Sequence, residues 1–205
     1  MSSYNRNNSG QEFSEIEIIG KIQSGDVKIF EALFREYYYS LSRFTTSIVK
    51  SSSAAEDLVQ DIFLKIWENR QTWNPQGTIK TYLYRASKNQ ALNYLKHLNV
   101  VHNWAEFSRN SFSSSSSSIN PEDEFERKEL LNSVNGAVNK LPEKCKMIFL
   151  LHRHEGLSYR EISEVLNISI STVETQMGRA LKKIREILFP YLSMLLITII
   201  SGTIL

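Results

Sequence analysis

Three stretches of this chain gather, at helical spacing, side chains suited to contacts with other macromolecules. In residues 78–97 (TIKTYLYRASKNQALNYLKH), Tyr82, Arg85, Lys88, Asn89, Asn93 and Lys96 project to one side of a helix. Leu83, Tyr84, Ser87, Ala91, Tyr94 and Leu95 project to the other. Cations hold phosphates, an aromatic plane stacks on a base and amides read base edges, so this face has what a single strand of nucleic acid needs. A plain basic, solvated face is the alternative. In residues 158–186 a helix, a short turn and a second helix follow one another. Here Thr172, Thr175, Gln176, Arg179, Lys182 and Lys183 form a polar, basic side suited to a DNA major groove. An amphipathic helical hairpin with a solvated face is the rival. The third stretch, AEDLVQDIFLKIW at 55–67, leaves Asp57, Gln60, Asp61, Leu64, Lys65 and Glu68 away from an apolar side made of Leu58, Ile62, Phe63, Ile66 and Trp67. Such an acidic face suits a basic partner, although many helices carry one merely for solvation.

Covalent chemistry has no residues to rest on. Neither a Gly-rich phosphate loop, a nucleophile elbow nor a pair of catalytic carboxylates stands out, so no enzyme and no cofactor is expected. His152-Arg153-His154 is too sparse for a metal site. The single cysteine, Cys145, excludes a disulfide framework and fits a reducing cytoplasm and a small core position.

The elements that must position these side chains are helices. The 205 residues include only eight glycines and four prolines, and 41% are hydrophobic, enough for one or two cores. A net charge of +2 confines nucleic-acid contact to local patches. Ser14–Ser24 reads as a first helix ended by Gly25. Asp26 caps a second, whose stripe of Ile29, Phe30, Leu33, Phe34, Tyr37, Tyr38, Leu41 and Phe44 is core. Ser53 with Glu56 forms a capping box that opens a third helix reaching about Asn69. Residues 70–77 (RQTWNPQG) form a loop, and a fourth helix covers about 78–97.

The serine run Ser113–Ser118 cannot order itself and marks a tether. Asn120-Pro121 restarts helix, with helices near 122–140 and 142–154. Ser158 with Glu161, and Ser171 with Glu174, have the form of capping boxes for the last pair, with Asn167-Ile168-Ser169 as the turn. Ile162, Val165 and Leu166 form the apolar side of the first of these helices. Val173, Met177, Ala180, Leu181, Ile184, Ile187 and Leu188 form that of the second. The expected organisation is all-α: a disordered N-terminus 1–13, a helical bundle 14–98, a flexible Ser-rich linker 99–120, a helix-turn-helix unit 121–190 and an apolar tail 191–205. The N-terminus lacks the apolar core of a signal peptide. Pro190 is expected to interrupt helix before the tail, for which a core-covering or partner-binding helix and a membrane anchor both stay open.

Taken together, the string Glu56-Asp57-Leu58-Val59-Gln60-Asp61-Ile62-Phe63-Leu64, the string Thr81-Tyr82-Leu83-Tyr84-Arg85-Ala86-Ser87-Lys88-Asn89 and the terminal helix-turn-helix resemble the sigma-70 family of bacterial RNA polymerase specificity subunits. The short extracytoplasmic-function (ECF) group is the one matched, over about residues 15–188. The resemblance implies a sigma region 2 bundle and a sigma region 4 helix-turn-helix. It implies that Glu56, Asp57, Gln60, Asp61, Leu64 and Lys65 dock on the clamp helices of the largest subunit of core RNA polymerase, with the flap of the second largest as a further contact. It implies that Trp73, Tyr82, Arg85, Lys88, Asn89, Asn93 and Lys96 hold the single-stranded −10 element, Tyr82 or Trp73 by stacking.

For the double-stranded −35 element it implies Ser158, Tyr159, Ser171, Thr172, Thr175, Gln176, Arg179, Lys182 and Lys183. Glu174 and Gly178 depart from the family's more basic recognition helix. The function implied is promoter recognition and DNA melting in transcription initiation, without a small-molecule substrate. A membrane-bound anti-sigma factor is an implied partner, and the implied location is cytoplasmic, with membrane association through that partner or the tail. The rival reading is a two-domain helix-turn-helix regulator acting without core polymerase; an adaptor tethered by the tail is a third.

Overall fold

The computed structural model describes residues 13–105 and 136–202, with side chains given for 13–98 and 136–189. All regular elements among these residues are helical. They form two compact units, an N-terminal bundle and a C-terminal helix-turn-helix unit.

In the N-terminal unit, α1 spans Glu15–Gln23. Ser14 and Glu17 close a reciprocal capping box: Glu17 N–H donates to Ser14 Oγ at 3.3 Å, and Ser14 N–H donates to Glu17 Oε2 at 2.7 Å. The Ser14 N–H and then the Ser14 hydroxyl, which donates to the same Oε2 at 2.9 Å, hold the Glu17 carboxyl below its ordinary value. Gly25, at φ +88°, takes the left-handed turn out of the helix. Asp26 then accepts from the N–H groups of Lys28 and Ile29 and opens α2, Val27–Val49. Lys50, at φ 59°, reverses the chain into α3, Ser52–Glu68.

Here the structure corrects the sequence reading. The cap is Ser51, whose Oγ accepts from Ala54 N–H at 3.4 Å, and Ser53 lies inside the first turn. Three consecutive serines offer equivalent caps, and the left-handed Lys50 decides between them by placing Ser51 in the extended conformation. Glu56 instead accepts from Ser52 Oγ at 3.2 Å.

The expected loop begins with a 3-10 turn, Arg70–Thr72, with the Arg70 guanidinium 4.7 Å above the Trp67 ring. Helix α4 then runs Ile79–Ala105, past residue 98 and into the stretch read as linker. Its first turn is satisfied twice: Thr78 Oγ1 accepts from Thr81 N–H at 3.1 Å, and Glu15 of α1 accepts from Ile79 N–H at 3.3 Å. A carboxylate at the positive end of a helix ties α1 to α4.

The core follows the expected stripes. Ile18, Ile22, Leu33, Leu41, Val59, Ile79, Leu83, Tyr84 and Ala91 are fully buried. Phe34 meets Phe63 edge-on at 4.9 Å, and Phe30 lies 4.8 Å from Trp67.

In the C-terminal unit residues 136–139 are helical, and α5 follows at Glu143–Arg153 behind Pro142. Helix α6 is Tyr159–Leu166, with the expected capping box formed: Glu161 N–H donates to Ser158 Oγ at 3.3 Å and Ser158 N–H to Glu161 Oε2 at 2.8 Å. Asn167 ends α6 at φ 56°, and Ile168 N–H reaches back to Ser163 O at 3.1 Å. Helix α7 is Ile170–Gly202.

The second expected box is corrected as well. Ser169 caps α7, accepting from Thr172 N–H at 3.1 Å, so Ser171 sits within the first turn and Glu174 stands exposed on the helix. The left-handed Asn167 sets the earlier start. Val173, Met177 and Ala180 are buried as expected, but Leu181 is 50% exposed. Pro190 does not interrupt α7, which continues to Gly202. No helix among the described residues is long and apolar enough to cross a membrane, and no group of three or more His, Cys, Asp or Glu could hold a metal. The expected disordered N-terminus and the serine run lie outside the described residues.

Candidate nucleic-acid interface

The α4 side chains expected to hold a strand share one face. Asn89, Asn93 and Lys96 are exposed, and Tyr82, Arg85 and Lys88 are half-buried. Packing of α3 beside α4 leaves a depression of about 230 Å³ lined by Ile62, Lys65, Tyr82, Ala86, Asn89, Gln90 and Asn93. Partial burial lowers the Lys88 ammonium from its ordinary value, and the neighbouring Arg85 charge lowers it further. A bound phosphate would offset the repulsion between the two cations, since it supplies a negative charge beside them.

Trp73 is corrected. At 6% exposure its indole offers no face to a base; it packs edge-on against Tyr82 at 5.9 Å, and its carbonyl accepts from Gln23 Nε2 at 2.9 Å. The hydrophobic ring in a short loop closes over the small core, and so supports Tyr82 from beneath. Gln90, Ala86 and Ile62 escaped the sequence reading because only the α3–α4 packing brings them to the depression.

On α3, Glu56, Asp57, Gln60, Asp61 and Lys65 are exposed, with Leu64 at 53%. The acidic face therefore carries one apolar side chain that the fold does not cover. Helix α2 adds Tyr38, expected as core but only half-buried, and Tyr39, which sequence alone did not select: Tyr38 Oη lies 3.4 Å from Gln60 Nε2, and Tyr39, 76% exposed, rests edge-on against Tyr38 at 5.5 Å. The signal was the triplet Tyr37-Tyr38-Tyr39, more aromatic surface than one stripe can bury.

In the C-terminal unit Ser171, Thr172, Thr175, Arg179, Lys182 and Lys183 are exposed on α7 and Gln176 is half-buried. Several of these hydroxyls already have partners. Ser158 is committed to the α6 cap, Thr172 Oγ1 lies 2.8 Å from Ser169 Oγ, and Thr175 Oγ1 donates to Ser171 O at 2.9 Å. Tyr159 packs edge-on against His152 at 5.0 Å, and His152 Nδ1 lies 2.8 Å from Leu157 O, so an edge-on ring pair backs the start of α6. Between the start of α5 and α7 lies a groove of about 670 Å³ lined by Lys140, Pro142, Glu143, Lys144, Cys145, Gln176, Arg179 and Lys183.

These are the parts of a two-module, helical DNA-reading protein: one unit with a cation-and-amide helix face, the other with a helix-turn-helix. Residues 33–100 match the family profile Sigma-70 region 2, and residues 131–184 match Sigma-70, region 4. The chain belongs to the sigma-70 family, in its ECF group. It is similar to the ECF RNA polymerase sigma-E factor of Haemophilus influenzae, 27% identical over 88% of this chain and 98% of that one. It is likewise similar to the RNA polymerase sigma-H factor of Pseudomonas aeruginosa, 26% identical over 86% of this chain and 94% of that one. Among solved structures, the sigma factor RpoE of Bartonella quintana, in complex with the anti-sigma factor NepR, covers 79% of this chain and 98% of its own. Its TM-score is 0.56 at 22% identity, which shows the shared fold.

Proposed function

We propose that this ECF sigma factor binds core RNA polymerase through α3, reads the −35 duplex with α7 and holds the unpaired −10 strand on α4. The observation that carries the reading is the order of the parts: a region 2 match with a cation-and-amide helix face, followed by a region 4 match with a formed helix-turn-helix. Glu56, Asp57, Gln60, Asp61, Leu64 and Lys65 are the polymerase contacts in this reading. The carboxylates orient the encounter with a basic coiled coil, and exposed Leu64 supplies apolar area. Arg85, Lys88 and Lys96 take phosphates, Asn89 and Asn93 base edges, and Tyr82 the face of a base. A base drawn from the stack costs a few kcal/mol, which these contacts must offset. The chain performs no covalent chemistry here. Its proposed place of work is the cytoplasm, and an anti-sigma factor its proposed regulator.

Run-off transcription with purified core polymerase tests the proposal. Core-dependent initiation at a subset of genomic promoters is expected, and its absence at every promoter would overturn the reading. A helix-turn-helix regulator acting without polymerase would bind its duplex site fully on its own and would leave the region 2 unit without a role.

A further inference from the structure

Gln176 lies on the face of α7 assigned above to the −35 duplex, and this inference rests on that assignment. Its side chain is half-buried, and Cys145 Sγ, 3% exposed, donates to its Oε1 at 3.0 Å. Cys145 cannot follow a moving amide. It stands in the first turn of α5, packed with Val138, Leu141 and Ala180 in one apolar cluster.

Only the oxygen of an amide can accept an S–H proton, so a thiol that donates here favours the orientation with Gln176 Oε1 turned inward. A glutamine free to present both ends makes a bidentate contact with adenine, taking the N6 proton on its oxygen and donating to N7. With Oε1 turned to Cys145, Gln176 keeps only its two N–H donors for the groove. Those match a base edge that accepts twice, as guanine does through N7 and O6, or the O4 of thymine.

We infer that Cys145 is a positioning residue for promoter specificity: by holding Gln176 Oε1 it makes Gln176 a donor-only reader and disfavours adenine at the base it meets. The thiol bond is weak in itself. Its leverage lies in where the other end of the amide must go, since turning Oε1 outward would exchange this bond for an Nε2–H facing a sulfur that accepts only weakly, beside apolar neighbours.

The test is a panel of −35 duplexes carrying each base at each position, read with the full-length protein in two ways: core-dependent transcription and competition binding by the chain alone. Cys145→Ala is expected to raise adenine relative to guanine or thymine by roughly fivefold or more at one position, the low end of one bidentate contact. Gln176→Ala is expected to flatten preference at that same position. Cys145→Ser, which restores a donor, is expected to restore the wild-type profile at unchanged thermal midpoint, a rescue that a merely space-filling cysteine would not require. A wild-type profile in Cys145→Ala at every position overturns the inference, as does a change at positions that Gln176→Ala leaves untouched. Loss of core-dependent transcription by the wild type would instead overturn the sigma-factor reading, and the binding panel would still report on Cys145.

Discussion

Single residues here act mainly by holding others in place. Trp73 is buried yet sits edge-on to Tyr82, so its substitution should separate packing from DNA contact. Trp73→Ala is expected to destabilise the N-terminal unit by about 3–5 kcal/mol, read by denaturant unfolding, whereas Tyr82→Ala, which removes a half-buried ring, should cost less, about 1 kcal/mol, and lower promoter opening. Glu17 gives a pH-dependent case. Its folded pKa is depressed by the Ser14 bonds, so its contribution is complete above the ordinary carboxylate value and is lost as pH falls through the lowered folded value. The Ser14 amide resonance, followed by NMR in an acid titration, should shift with that lowered midpoint, and Glu17→Gln should abolish the titration. Lys88 works in the opposite sense: partial burial and then the Arg85 charge disfavour its charged form, and Lys88→Gln should reduce the salt dependence of promoter binding.

At the scale of elements, left-handed residues decide where helices start. Lys50 and Asn167 are the non-glycine residues with positive φ among those described. Asn tolerates that region better than most side chains, and Lys does not share the advantage. Lys50→Gly is therefore expected to stabilise the bundle by up to about 1 kcal/mol, and Asn167→Val to destabilise the C-terminal unit by about 1–2 kcal/mol, both measurable as shifts in thermal midpoint. These same two positions explain why the capping boxes at Ser53 and Ser171 did not form. Local pattern offers a serine and a glutamate at the right spacing. The turn before the helix decides which serine has the extended backbone a cap requires. The box at Ser158 formed because Gly156 and Leu157 leave no competing hydroxyl upstream.

For the whole molecule, the two units are proposed to grip one promoter at two points, which makes their contributions multiply through effective concentration. Arg85→Ala in α4 and Arg179→Ala in α7 are each expected to lower core-dependent initiation about tenfold, and the double variant close to the product of the two. Equal effects of single and double variants would overturn independent contributions from the two units. The exposed α3 face predicts a different signature: Leu64→Ala should weaken capture by core polymerase in a pull-down while leaving the thermal midpoint in place, because that side chain is 53% exposed in the free protein.

The sequence by itself determined the helical class, the division into two units and the faces of α3, α4 and α7, because a helix repeats its side chains at a fixed angle and burial needs only one stripe. Polar side chains at that period could be placed on a face without knowing what lay behind it. Packing between helices decided the rest. It buried Trp73 beneath Tyr82, brought Tyr38 to Gln60, set Glu15 at the start of α4 and laid Cys145 against Gln176. Each of those joins residues on separate helices, and periodicity along one helix says nothing about the distance between two. The direction of a single amide is set only there.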